Sequence, residues 1–232
     1  MASEATYFSD ASLAWQHWNL TDFIYRSEYL LRFAQFLEKD STDLAKVVKY
    51  HLNCARTLIA EPLLLAGPTG ETNELYTTGR GVTVIAQMQM ENGALPAVMA
   101  QLSAALIAGN SVVICSDDTV LRACLSAAFE ENCFPVNLVQ VIAADLFHPI
   151  LAHDVRQVGM IGDRQDARRV NLALVQRSGV IINPVIETDL DMLPVAHDSA
   201  LVLRFVTERT RTINITAIGG NASLLEMGSA NH

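Results

Sequence analysis

After Gly81 the chain settles into a repeat that few folds accommodate: short β-branched runs, each followed by a stretch of helical periodicity. Val82–Ala86, Ser111–Cys115, Leu138–Ala143, Val155–Ile161 and Val180–Val185 show little polar alternation, as strands covered on both faces do. Between them Leu95, Val98, Leu102 and Leu106 share one helical face, then Leu121, Leu125 and Ala128, and later Ala167, Val170 and Leu174. The alternation predicts an open, mostly parallel sheet with helices on both sides. With right-handed crossovers this is a doubly wound, Rossmann-like α/β fold. The glycine stops "AGN" (Ala108–Asn110) and "SGV" (Ser178–Val180) fall just before the second and fifth runs, where helices should end.

The flanks of the repeat differ from it. From Ser12 to about Ala60 the pattern is helical, in two amphipathic segments separated by the capping-type "DSTD" of Asp40–Asp43. Residues 1–60 are therefore read as an N-terminal helical segment and 61–203 as the Rossmann-like domain. Residues 204–232 form an extended β tail in which Phe205, Thr207, Ile213, Ile215 and Ala217 alternate with polar residues, as edge strands in need of a partner do. Between the helices and the first strand lies "GPTGETNELYTTGRG" (Gly67–Gly81), dense in turn chemistry and read as a crossing segment.

Composition narrows the function classes. At 232 residues two full-sized enzymatic domains would be tight. Sixteen Lys and Arg against twenty-five Asp and Glu give a net charge of −9, which opposes binding to a nucleic-acid backbone. No apolar run approaches a membrane span, and "MASEATYFSDAS" lacks the basic and apolar regions of a signal peptide, so a cytoplasmic protein is expected. Cys54, Cys115, Cys124 and Cys133 form no CxxC pair and read as buried free thiols. His148, His153, His197 and His232 lack metal-ligand spacing, and no metal is expected. Arg164, Arg168 and Arg169 read as a solvated helix face. The dinucleotide fingerprint GxGxxG is missing from the first strand–helix turn; "GRGVTV" holds only two glycines, and they precede the strand.

Taken in order, "GPTGETNELYTTGRGVTVI", "LSAALIAGNSVVI", "VGMIGDRQDARRVN", "PVIET" and "TINITAIGGNASLLEMG" resemble segments of the aldehyde dehydrogenase superfamily. More narrowly they resemble the C-terminal aldehyde-dehydrogenase-like domain of the proline utilization A enzymes, which oxidise proline to glutamate. The resemblance covers roughly residues 58–188 and 204–228.

Carried onto matching positions, the resemblance implies altered chemistry. In catalytic members the strand after "AAGN" ends in a lysine, and a glutamate three residues later joins it in binding the adenosine ribose of NAD; here Cys115 and Asp118 hold those positions. The "TGS" turn that approaches the pyrophosphate is Ile161-Gly162-Asp163, and a carboxylate there faces like charge. Asp118, Gly162 and Asp163 are thus vestigial cofactor-binding candidates, and NAD binding is not expected. Asn92 in "MENGAL" aligns with the oxyanion asparagine, without its usual flanking residues. The family nucleophile is a cysteine in a separate domain, inserted between the "ET" matched by Glu187-Thr188 and the tail. Here only a short acidic loop precedes Arg204, and no cysteine follows Cys133.

The expected function is a non-catalytic scaffold or lid, with no catalytic residue, serving a pyrroline-5-carboxylate dehydrogenase module and its substrate tunnel. Its partners would be other domains of the same polypeptide or a neighbouring subunit, reached through residues 204–228, with a homodimer possible. The alternatives are an NAD-binding fragment or sensor supported by Asp118, and an active pyrroline-5-carboxylate dehydrogenase subunit whose catalytic domain would have to come from another polypeptide.

Overall fold

The computed structural model describes residues 3–67, 71–91 and 93–214. Buried β-branched runs build a five-stranded parallel sheet from β3 (Val82–Gln87), β4 (Ser111–Cys115), β5 (Val139–Ile142), β6 (Gln157–Ile161) and β7 (Val185–Glu187), in the order β5-β4-β3-β6-β7. Numbered within the sheet this is 3-2-1-4-5, the order in which the chain reverses direction across the sheet beside its first strand. All residues of β3, β4 and β6 are buried, which is why their sequences run apolar without alternation.

Helices cover both faces. On one side α2 (Phe23–Leu37), α3 (Thr42–Ile59), α4 (Ala94–Ile107) and α5 (Thr119–Glu130) enclose a core that includes Phe33, Leu52, Met99, Leu106 and Phe205. On the other, α1 (Glu4–Trp18), the short α6 (Phe147–Ile150) and α7 (Arg164–Gln176) meet a core of Ala11, Val84, Phe147, Met160 and Val170. Each fully buried Phe or Leu contributes about 2–3 kcal/mol through removal from water. Helix α4 is buried all round and is the central packing element.

The N-terminal segment holds three helices where two were expected. The break falls at residues 19–22, where Asp22 caps α2 by accepting from Tyr25 N at 2.7 Å. Strand Ser111–Cys115 lies where the sequence placed it. The runs around Val139 and Gln157 shorten at their ends, and Val180–Val185 fails as a strand: pairing begins only at Val185. Ile181 is 93% exposed there, and Pro184 has no N–H to give a ladder.

The glycine-punctuated crossing segment contains a strand of nine residues, β2 (Glu71–Gly79). It pairs antiparallel with β8 (Val206–Asn214) over its whole length, Glu71 opposite Asn214 and Gly79 opposite Val206, and with the short β1 (Leu63–Leu65) on its other edge. The tail thus finds one partner inside its own chain. Among the described residues, the outer edge of β8 carries no strand. The stretch 217–228, "AIGGNASLLEMG", lies outside the described residues, as does Asn92.

Buried Asn110 ties these layers together. Its Oδ1 accepts from Arg80 N (2.7 Å) and Gly81 N (3.0 Å), and its Nδ2 donates to Ala105 O (3.0 Å) and Phe205 O (2.9 Å). The preceding Gly109 sits at φ +97°, and a Cβ there would lie 2.1 Å from Arg26 Nη1. Among the described residues no helix is long and apolar enough to cross a membrane.

Candidate functional site

In a sheet of this order a ligand crevice opens beyond the carboxyl ends of the strands at the reversal, here between β3 and β6. The β6–α7 turn borders that crevice and carries Gly162 and Asp163; the β4–α5 turn, beside β3, carries Asp118. The last residues of β3 and the loop after it link to both turns. Gln87 Nε2 donates to Asp118 Oδ2 at 3.0 Å, and Gln89 Nε2 to Asp166 Oδ2 at 3.4 Å.

Asp118 is the N-cap of α5, its Oδ1 accepting from Val120 N (2.8 Å) and Leu121 N (3.3 Å). Ser116, fully buried, donates to Gln87 Oε1 at 2.7 Å and accepts from Asp118 N at 3.0 Å. The carboxylate at the ribose-glutamate position therefore closes a network within the protein.

The phosphate turn is closed in the same way. Asp163 accepts from Gln165 N (2.7 Å) and Asp166 N (2.8 Å), while Asp166 Oδ2 accepts from Asp163 N at 3.0 Å, a complete capping box. The N–H groups of Asp163, Gln165 and Asp166, which a helix N-terminus would otherwise offer a phosphate, are thus satisfied by the chain's own carboxylates. Those bonds hold the Asp163 carboxyl below the usual carboxylate range, so it is ionised at neutral pH. A side chain at Gly162 would meet Asp166 Oδ2 at 2.7 Å and Met88 Cβ at 3.0 Å.

The open part of the crevice has a volume of about 430 Å³ and is lined by Glu91, Asp163, Asp189 and Asp191 against one cation, Arg164. Its electrostatics oppose a pyrophosphate. The backbone of Leu190 covers the start of α4: a Cβ on Gly93 would lie 1.7 Å from Leu190 O. This covering loop hangs from Glu187, which is 1% exposed. Its Oε2 accepts from Val195 N (2.8 Å) and Ala196 N (3.2 Å), and its Oε1 from Asp189 N (3.4 Å).

Cys115 is 1% exposed, and burial, with Asp117 and Asp145 nearby, pushes its thiol up to about 12. It is a packed, protonated thiol at neutral pH, unsuited to nucleophilic attack. All four cysteines are free; Cys115 and Cys133 are buried, while Cys54 and Cys124 are half-buried, short of the burial expected of them. Arg164, Arg168 and Arg169 do lie on an exposed helix face, with Arg169 paired to Asp166. Among the described residues no group of three or more His, Cys, Asp or Glu converges as metal ligands would.

Gln87, Asp166 and Glu187 organise this crevice, and the sequence reading gave none of them that role. The capping pair Asp163 and Asp166, three residues apart at a helix start, was the one signal that could have been read.

A search of characterised proteins finds bifunctional protein PutA of Escherichia coli (strain K12), 29% identical over 168 residues. The chain is homologous to part of proline utilization A. The match takes in 71% of this chain but only 11% of the E. coli protein. Among solved structures, proline utilization A of Bradyrhizobium japonicum superposes with a TM-score of 0.68 at 24% identity, over 81% of this chain and 22% of that one. The indole-3-acetaldehyde dehydrogenase AldA of P. syringae, solved with NAD+, gives 0.65 at 18% identity, over 80% and 42%. The fold is therefore the Rossmann-like fold of the aldehyde dehydrogenases. No protein-family model matches the chain.

Proposed function

We propose that this chain is a non-catalytic aldehyde-dehydrogenase-type domain of a cytoplasmic proline-catabolic enzyme, a scaffold and lid for the pyrroline-5-carboxylate dehydrogenase module and its substrate tunnel. The observation that carries the reading is the state of the crevice. Both helix starts that could meet a nucleotide are capped by internal carboxylates, and the space between them is acidic. The loop hung from Glu187 leads through one short 3-10 turn, Leu201–Phe205, into β8, leaving no room for a catalytic domain where the resemblance to the aldehyde dehydrogenases places one. What persists is packing surface and a long strand, β8, with one edge open among the described residues. These suit docking.

Two measurements test it. Calorimetric titration of the chain with NAD+ to millimolar concentration is expected to show no saturable heat; clear saturation would overturn the reading in favour of a nucleotide sensor. In the polypeptide that carries this domain, truncation after Phe205 is expected to introduce a lag in NADH formation from proline while leaving turnover of added pyrroline-5-carboxylate intact. Unchanged transient kinetics and unchanged assembly would remove the lid and scaffold roles.

A further inference from the structure

The end of the sheet opposite the crevice has the reverse charge. Around Val82, the first residue of β3, and Arg156, just before β6, a cleft of about 420 Å³ opens between α1, the β2–β3 hinge and β8. Arg80, Arg156 and Arg209 all line it, although the chain has only 16 Lys and Arg in total. Arg80 gives its Nε to Val206 O at 2.9 Å, and its terminal nitrogens make no hydrogen bond to the described residues. Arg156 shares one nitrogen with Asp154 at 2.7 Å, and the Arg209 guanidinium has no hydrogen bond or ion pair with a described residue. The indole Nε1 of Trp15, also in the wall, is buried without an acceptor. Among the described residues, Asp154 is the single carboxylate lining the cleft.

The cleft is therefore rich in donors and poor in negative charge. A buried N–H left without an acceptor is destabilising, a deficit that an oxyanion seated in the cleft removes. Guanidinium forks match the paired oxygens of a phosphoryl group, and three of them supply the charge a dianion needs. The volume exceeds that of one phosphate, and the rings of Phe8 and Trp15 give an organic body an apolar wall. We propose that this cleft binds the phosphoryl group of a small molecule, held by Arg80, Arg156, Arg209 and the Trp15 indole. The site is independent of the scaffold reading, and it lies at the end of the sheet away from the nucleotide crevice.

Inorganic phosphate and phenyl phosphate serve as probes, titrated into the full chain at low ionic strength and followed by tryptophan emission and calorimetry. Both are expected to saturate below ~10 mM with one site. Tighter binding of phenyl phosphate identifies a phosphorylated organic ligand, and equal binding identifies the free ion. Arg209→Gln, on exposed β8, is expected to weaken binding about tenfold or more without moving the thermal midpoint. Trp15→Phe keeps the ring and loses the donor, and weakens binding in calorimetry; Arg164→Gln, at the other end of the sheet, leaves it unchanged. Failure to saturate, reproduction of the response by chloride at matched ionic strength, or wild-type affinity in Arg209→Gln would each overturn the site.

Discussion

His51 stands where a positive charge is poorly solvated. It is 2% exposed, and its ring Nε2 lies 2.9 Å from Ala196 O, so the neutral ring keeps its proton on that nitrogen as a donor. Burial lowers its pKa; the Ala196 carbonyl and the Asp198 carboxylate oppose that shift, and His197 adds to it. With the folded value below the unfolded one, the unfolded chain binds more protons as pH falls through about 6.5, so His51 favours folding above that pH and disfavours it below. The thermal midpoint is expected to fall between pH 7.5 and 5 more steeply than in His51→Gln, which retains a donor for Ala196 O but cannot titrate. Parallel profiles from scanning calorimetry would show that another group governs the acid side. The helical periodicity of residues 12–60 gives no sign of this contact, because its partner lies 145 positions away.

At the scale of elements, the loop after β7 turns on a single carboxylate. Three backbone N–H groups end on Glu187, two of them at Val195 and Ala196, and removing the acceptor leaves all three without one, that of Ala196 in the buried interior. Glu187→Ala is expected to destabilise the chain by about 2–4 kcal/mol in urea unfolding. Hydrogen exchange at Val195 and Ala196 should accelerate far more than in β4, while Glu187→Gln, which keeps an oxygen, recovers part of the loss. Uniform acceleration across the sheet would mean that the loop is not a separate unit. The loop's identity was legible only in part. Strands β3 and β4 could be read because burial on both faces writes itself as a continuous β-branched run. Glu187 lies at the end of such a run, and its role depends on where the next ten residues fold back. The same limit produced the false strand at 180–185, whose composition suits a sheet but whose Ile181 faces solvent.

At the scale of the molecule, the chain is organised around two ends of one sheet and a second, smaller sheet that joins residues far apart in sequence. The parallel order was legible because each βα unit is local. The β2–β8 pairing was not, since it unites positions 71–79 with 206–214 and the Thr-rich polarity of β2 looks like a turn region. The arginine cleft was hidden for the same reason, because positions 80, 156 and 209 share no spacing. The pairing nevertheless governs how the molecule meets others. Without β8, the inner edge of β2 would present a row of unpaired N–H and C=O groups, with only the three-residue β1 on its other side. A chain ending at Phe205 keeps the buried Phe205 ring and the five-stranded sheet, so its far-UV dichroism should retain the helical signal of a chain ending at Asn214. It is expected to differ in sedimentation velocity: self-association that rises with concentration in the shorter chain, a lower mass in the longer one, and a lower urea midpoint for the shorter. If both remain monomeric with equal midpoints, β8 neither guards β2 nor stabilises the fold. The open edge of β8 would then lose its standing as a docking strand as well.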